Sequence, residues 1–555
     1  MVFKNGMVYT VDAARTCARA LAVKQETIVY VGDEAGLDPL TGPATRVVDL
    51  NGGMLLPGFV DSHAHVSGTT NEEAAVYLSN LPSKAACLAA VKDFAARHPE
   101  LDVIHGAGWA AEIFPPRGPS RKDLDAIVAD RPVSLMSEDG HFIWANSRAI
   151  QRAGVTADTP SPRGGTIEKD ENGIPSGIFR ETARDLIVNT LPPFSVDQLK
   201  GGIRRFMDEA ARVGVTTVHD PLLLLPDADG QLNGFGGLRY NIRAFQELAD
   251  EQQLRLRVRG TVLTDPTKDI SQTDAIAAAA VQAADPLFRI TGAKIFVDGV
   301  VEGGTAYLFR PYAHRPDFRG EALWESAALN DLFADLDRRG LQIHIHAIGD
   351  AALAMSLDAL AHAAAATGRR DARHLITHLQ VVDPDDIPRM AQLNVIGVPQ
   401  PFWHVKGDFH ELDTYFLGPE RAEKMYPMKS LVDAGVRIAG ASDYPVQVPS
   451  PPLKAVMLGI TRCLPGANGP HGILGPQERL SLEEMIAAYT INGAFANYLE
   501  TQTGSLEVGK KADLVVLEKN LFEIPAETIA DVRVAMTVFN GMVVYENPSP
   551  RRMTL

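Results

Sequence analysis

The chain has 555 residues, 45% of them hydrophobic and 22% charged, a balance that sets aside the disordered and membrane-embedded classes and allows a large core with an appended sheet. A formal net charge of -16 with no Lys/Arg-rich run argues against a nucleic-acid footprint, which needs clustered cations. Cys17, Cys87 and Cys463 are far apart and lack C-x-x-C spacing, so no disulfide framework or thiolate metal site is expected and a cytoplasmic location fits best.

Taken in chain order, residues 1–9 lack the basic start and apolar stretch of a secretory signal, so no export is expected. The segment Phe3-Lys-Asn-Gly-Met-Val-Tyr9 is echoed by Phe539-Asn-Gly-Met-Val-Val-Tyr545. Asn-Gly between apolar runs predicts a hairpin at each end, because both residues tolerate positive φ. With residues 22–31 and 511–517 the two ends are predicted to build one small sheet region, a β-sandwich made from residues 1–56 and 498–555.

Between them, over residues 57–497, short β-rich runs alternate with longer helical stretches. Counted from the segment holding His63, strands are predicted at 213–219, 255–262, 293–297, 341–346, 374–378, 395–398 and 436–440, eight in all. The fold class is therefore α/β, a distorted (β/α)8 TIM-type barrel, whose active site is expected at the carboxyl ends of its strands. Residues 72–195 break the alternation after the first strand and are read as a lid-like insertion that shapes the pocket. The alanine-rich stretches at 275–284 and 361–366 are too short to cross a bilayer, and no membrane partner is expected.

His63 and His65 are two residues apart in an extended segment, so their side chains share a face and can converge on one ion. An H-x-H pair alone is weak evidence. His346, His378 and Asp443, each at or just past the end of a predicted strand, bring five ligand-type residues to one mouth. His344 shares a face with His346 but lies deeper in its strand, so His346 is preferred and His344 is read as a packed neighbour. Lys294 falls in the fourth strand, where a buried ammonium is costly. It is either one half of a structural ion pair or a neutral amine that reacts with carbon dioxide to give a carbamate able to bridge two dications.

The chain resembles the amidohydrolase superfamily, in its branch of YtcJ-like and N-substituted formamide deformylase-like proteins (amidohydrolase family 3). The resemblance spans nearly the whole length. It rests on Pro57-Gly-Phe-Val-Asp-Ser-His-Ala-His65, Asp139-Gly-His-Phe-Ile-Trp-Ala-Asn-Ser147, Gly214-Val-Thr-Thr-Val-His-Asp220, Lys294-Ile-Phe-Val-Asp-Gly299, His346-Ala-Ile-Gly-Asp350 and Ser442-Asp-Tyr-Pro-Val446. It implies a metal-dependent amidohydrolase with two divalent ions, zinc being expected. His63, His65 and Asp443 would hold the more buried ion and His346 and His378 the other, with Lys294 between them as its carbon dioxide-derived carbamate. The family often has Glu where this chain has Thr377 and Gly where it has Ala441, departures that remove no ligand.

A metal-bridging hydroxide attacking a carbonyl, with Asp443 as general base and then acid, would cleave the carbon–nitrogen bond of a small N-acyl or N-formyl compound. His141 and Gln400 are candidates to hydrogen-bond the substrate carbonyl, His141 having an anchoring role as its alternative. Trp109, Phe142, Trp144, Phe402 and Trp403 suggest an apolar substrate group, with Trp109 and Trp403 named as lining residues. The alternatives are a cyclic-amide or carbamate hydrolase or a deaminase on the same scaffold and, from another class, a non-catalytic binding protein. The resemblance loosely suggests a homodimer.

Overall fold

The computed structural model describes every residue except 69–73, 111–112, 115–117, 139, 163, 228–231, 233, 369–370, 447–449, 466–471 and 549–555, so Asp139 of the Asp-Gly-His segment lies outside the described residues. Seven strands run in parallel and in sequence order: β1 (Phe59–Asp61), β2 (Val215–Leu223), β3 (Arg257–Leu263), β4 (Phe288–Phe296), β5 (Gln342–Ala347), β6 (Leu375–His378) and β7 (Ile396–Val398). Most of their residues are buried, as in a parallel sheet covered on both faces. Amphipathic helices such as Val196–Arg212, which places Leu199, Ile203, Phe206, Met207 and Ala210 inward, supply the outer cover.

The expected eighth strand is not a continuous strand. Residues 437–443 nevertheless close the ring by hydrogen bonds on both sides. The Gly397 amide donates to Arg437 O (3.0 Å) and the Ala439 amide to Gly397 O (2.9 Å), while the Ser62 amide donates to Gly440 O (3.0 Å) and the Asp443 amide to His63 O (2.8 Å). A Cβ on Gly440 would lie 2.3 Å from the Tyr489 ring, so glycine is what admits that ring. The result is a TIM-like barrel whose seam joins the His63 segment to the Asp443 segment.

The two chain ends form two sheets. Thr27–Gly32, Ala20–Lys24, Val2–Lys4 and Val47–Asp49 make the first; Met542–Glu546, Val534–Phe539, Leu514–Leu517, Met54–Pro57, Met7–Tyr9 and Cys17–Ala18 make the second. They share a core that includes Phe3, Ile28 and Val48 from one and Leu55, Leu514 and Met536 from the other. The carboxyl-terminal hairpin forms as expected, with Asn540 and Gly541 both at positive φ (47° and 74°). The amino-terminal copy does not: Asn5 has φ of 60°, Gly6 does not follow it into positive φ, and the strands on either side diverge into different sheets. A two-residue hairpin of this kind needs both central residues there. Likewise 22–31 is not one strand but part of a hairpin that turns at Gln25.

The insertion is more than a lid. A six-stranded mixed sheet, ordered Gly165–Lys169, Pro175–Glu181, Phe142–Ala145, Val133–Ser137, Ile104–Trp109 and Ala75–Tyr77, carries its own core around Val91, Phe94, Trp109 and Trp144. Its strands Gly165–Lys169 and Pro175–Glu181 form an antiparallel hairpin. At the opposite, amino-terminal end of the barrel, Arg257 opens β3 and pairs with Asp513 (2.9 Å), both almost fully buried, and also donates to Asn540.

Candidate metal centre

Four segments carry the centre. His63 and His65 follow β1, His346 lies near the end of β5, His378 ends β6, and Asp443 sits on the closing segment. His63 Nε2 and His65 Nε2 lie 3.2 and 3.0 Å from Asp443 Oδ1, and the ligand atoms of these three residues fall within 4.8 Å of one another. Asp443 Oδ1 is nevertheless buried and, among the described residues, has no partner that meets the geometry of a hydrogen bond. Donor atoms that crowd together without bonding each other fit a shared cation better than a hydrogen-bonded cluster. His346 and His378 abut this group, with ring centroids 4.4 Å apart and His378 5.4 Å from His63.

Most of these imidazoles spend one nitrogen on the protein and keep the other for the centre. His63 Nδ1 is 2.8 Å from His344 Nε2, His346 Nε2 is 3.0 Å from Gly299 O, and His378 Nδ1 is 3.2 Å from Gln400 Oε1. These bonds fix ring orientation and leave Nε2 of His63, Nδ1 of His346 and Nε2 of His378 as the donor atoms. Two ligand-type residues also hold strained backbone, His378 at φ 76° and Asp443 at φ 57°, a cost of order 1 kcal/mol or more each that the surrounding packing must sustain.

The electrostatics favour neutral imidazoles and an ionised carboxylate. Burial, then the nearby Lys294, drives His63 well below the usual histidine range and His346 down to about 3. Burial and His346 do the same to His378. Burial alone would raise the Asp443 carboxyl, but His65, His378 and Lys294 pull it down to about 2. Burial lowers Lys294, which lies over the Phe296 ring at 4.7 Å, to about 7 against the opposing pull of Asp443. Neutral imidazole and carboxylate are the protonation states a dication requires.

Strand register separates the two histidines of β5. His344 is level with Lys294, one layer inside the barrel, whereas His346 is level with Phe296, nearer the mouth. His344 thus supports His63, and its ring lies 4.7 Å from that of His219, itself tied to Asn497 (2.9 Å). Asp298 accepts from the amides of Tyr307, Ile348 and Gly349 and pins the loops after β4 and β5 together. Asp61 accepts from the amides of His63 and Ser442 and so joins both sides of the seam.

The other expected residues divide. Gln400 is fully buried and hydrogen-bonds His378 and Thr377. Trp403 stacks on His378 at 5.7 Å. Trp109 is not brought to the centre: it is 2% exposed in the insertion core, with its indole N–H donated to Leu135 O, so the lining role expected of it is corrected to packing. Trp144 has the same fate, its N–H donated to Ser120 O. His141 comes from the insertion and binds both carboxylate oxygens of Glu181 at 3.1 and 3.0 Å. Glu181 was missed from sequence, being 40 residues away with no local motif around it.

A model of the Amidohydrolase family matches residues 46–545. The putative amidohydrolase YtcJ of Bacillus subtilis is 30% identical over 98% of this chain and 99% of that protein. The N-substituted formamide deformylase of Arthrobacter pascens is 27% identical over 98% and 97%. Among solved structures, an uncharacterized metal-dependent hydrolase from Pyrococcus furiosus superposes with a TM-score of 0.71 at 25% identity, covering 94% of this chain and 99% of that one.

Proposed function

We propose a reaction on one premise: this chain belongs to the amidohydrolase family. It is a hydrolase acting on carbon–nitrogen bonds, and its fold and relatives support the use of divalent metal. Within that class we infer the hydrolysis of a small N-acyl or N-formyl compound, a reading supported by the similarity to a formamide deformylase. The observation that carries it is the convergence of His63 and His65 on the ionised, unpartnered Asp443 oxygen, beside two further imidazoles held neutral.

His63, His65 and Asp443 would hold one ion and His346 and His378 a second, with zinc suited to the imidazole-rich set. Lys294, whose burial favours the neutral amine near pH 7, would attack carbon dioxide. The carbamate, formed as the nitrogen–carbon bond replaces one carbon–oxygen π bond and the amine proton passes to solvent, would add negative charge to the centre. When bound, the ions would supply Lewis acidity toward the substrate carbonyl and a nucleophile derived from water at neutral pH. Asp443 accepts the proton of the attacking water and delivers it to the leaving nitrogen, for which an oxygen with no competing hydrogen bond is well placed. His141 donates a hydrogen bond to the substrate carbonyl oxygen as charge builds there, and Trp403 borders the pocket beside His378. We read the two terminal sheets as a β-sandwich that stands apart from this chemistry.

The test loads the purified protein with zinc in bicarbonate buffer, measures metal per chain, and assays amine release from N-butylformamide, N-butylacetamide and a cyclic amide. Two ions per chain and release of butylamine are expected. Hydrolysis of the cyclic amide alone would transfer the assignment to that class, and a metal-loaded protein that cleaves no carbon–nitrogen bond would sink it.

A further inference from the structure

The strand Pro175–Glu181 and the turn Thr182–Arg184 after it connect the insertion to both halves of the centre. On one side, Thr305 Oγ1 donates to Glu181 Oε1 at 3.1 Å, and Thr305 belongs to the same loop whose Gly299 carbonyl holds His346. On the other, the Arg184 guanidinium lies 5.8 Å from the centre of the Phe235 ring, and Phe235 stacks on His65 at 6.3 Å with the planes 14° apart. Arg184 also donates to the Glu181 carbonyl at 2.8 Å. The segment 181–184 therefore spans from the His65 side of the mouth to the His346 side.

We propose that Glu181 is a positioning residue for the reaction inferred above: its carboxylate fixes the orientation of His141 and favours its doubly protonated ring, which makes the insertion part of the reacting machinery. The proposal rests on His141 having the role assigned to it there. Three features of the pair favour it over simple anchoring. His141 Nδ1 meets both carboxylate oxygens, so Nδ1 carries a proton, and the carboxylate favours the doubly protonated ring, whose Nε2–H is the donor that the substrate oxygen requires. The two residues are also locked by backbone, the Glu181 amide donating to His141 O at 3.0 Å. Glu181 holds φ at 48°, a conformation that a non-glycine residue pays to adopt and that aims its carboxylate where an extended strand would not. The charge is settled in the same sense. Burial would raise the Glu181 carboxyl, but His141, Arg184 and Thr305 outweigh it and hold it down to about 2.

The experiment uses zinc-loaded wild type, Glu181→Gln, Glu181→Asp, His141→Gln and the double variant Glu181→Gln/His141→Gln, each checked for metal per chain and melting temperature. With N-butylformamide, Glu181→Gln is expected to lower kcat by roughly 10–100-fold, with KM little changed and metal content intact. Glu181→Asp should recover part of that loss. The decisive reading is the cycle: in the His141→Gln background, Glu181→Gln should add almost nothing. An equal loss in both backgrounds would mean that Glu181 acts on the structure at large and would overturn the proposal. A second readout needs no turnover. In 15N-histidine-labelled protein, the ring signals absent from His141→Gln should be displaced in Glu181→Gln, and their coincidence with wild type would also overturn it. If wild type binds zinc but leaves the amides intact, the inferred reaction fails while these ring signals still decide whether Glu181 positions His141.

Discussion

The two ends of the barrel hold buried charge in opposite ways. At the amino-terminal end, Arg257 meets Asp513 at 2.9 Å and also bonds Asn540, so each charged group is matched by another that belongs to the protein. At the carboxyl-terminal mouth, Asp443 stands among imidazoles at 3.0 and 3.2 Å, yet its Oδ1 accepts no hydrogen bond, and its backbone and that of His378 are held at positive φ. Burial is similar at the two ends. The difference is whether the polar atoms are spent on each other, and it separates a region built for stability from one built to receive something.

The largest effects should break that contrast at the mouth. Asp443→Asn keeps the volume, and asparagine tolerates the positive φ, so the fold should survive with a melting temperature within a few degrees of wild type. Hydrolysis of N-butylformamide should nevertheless fall by about 10³-fold or more, because the proton acceptor is lost. An activity loss matched by a large fall in melting temperature would erase the distinction between the two ends. The floor should answer in reverse. Arg257→Met leaves Asp513 buried without its partner and should cost about 3–5 kcal/mol in denaturant unfolding, with kcat per folded molecule unchanged. Between these lies Lys294→Met, which keeps the buried stem and removes the amine. Metal per chain should drop from two toward one, with zinc affinity at the His346/His378 side weakened by roughly 10–100-fold; an unchanged count of two would remove the carbamate from the centre.

How much of this was legible in the sequence follows from the range of each signal. The parallel strands were readable because apolar runs of the right length recur between helical stretches, and seven of the eight expected appear as strands. The eighth was legible as a position but not in its form, since Tyr489 and single hydrogen bonds define it. His63, His65, His346, His378 and Asp443 were legible because each lies at a strand end, where chain order alone predicts convergence. What holds them was not: the bonds of His344 to His63, of Gln400 to His378 and of Glu181 to His141 exist only once distant strands are in register. Trp109 misled for a related reason. An aromatic residue in an insertion reads the same whether it lines a pocket or fills a second core, and only the sheet around it decides. The Asn5-Gly6 turn failed because composition permits positive φ at both residues without imposing it.

The smallest expected effect is the one that probes where the mouth stops being metal support and starts being pocket. Gln400 and Trp403 follow β7 and both touch His378, one by a hydrogen bond to Nδ1 and the other by stacking at 5.7 Å. Gln400 is fully buried, whereas Trp403 is half-buried and offers surface to a ligand. Gln400→Leu should therefore weaken zinc at the His378 side with little change in KM. Trp403→Leu should leave metal content alone and raise KM for apolar N-substituents by about 3–10-fold, in keeping with roughly 1 kcal/mol for a partly exposed apolar contact. Comparing N-butylformamide with formamides of shorter chain makes the second effect specific, since the loss should shrink as the alkyl group does. If both variants lose metal equally and neither alters the chain-length dependence, Trp403 belongs to the ligand shell with Gln400, and the apolar wall must be sought elsewhere around the mouth.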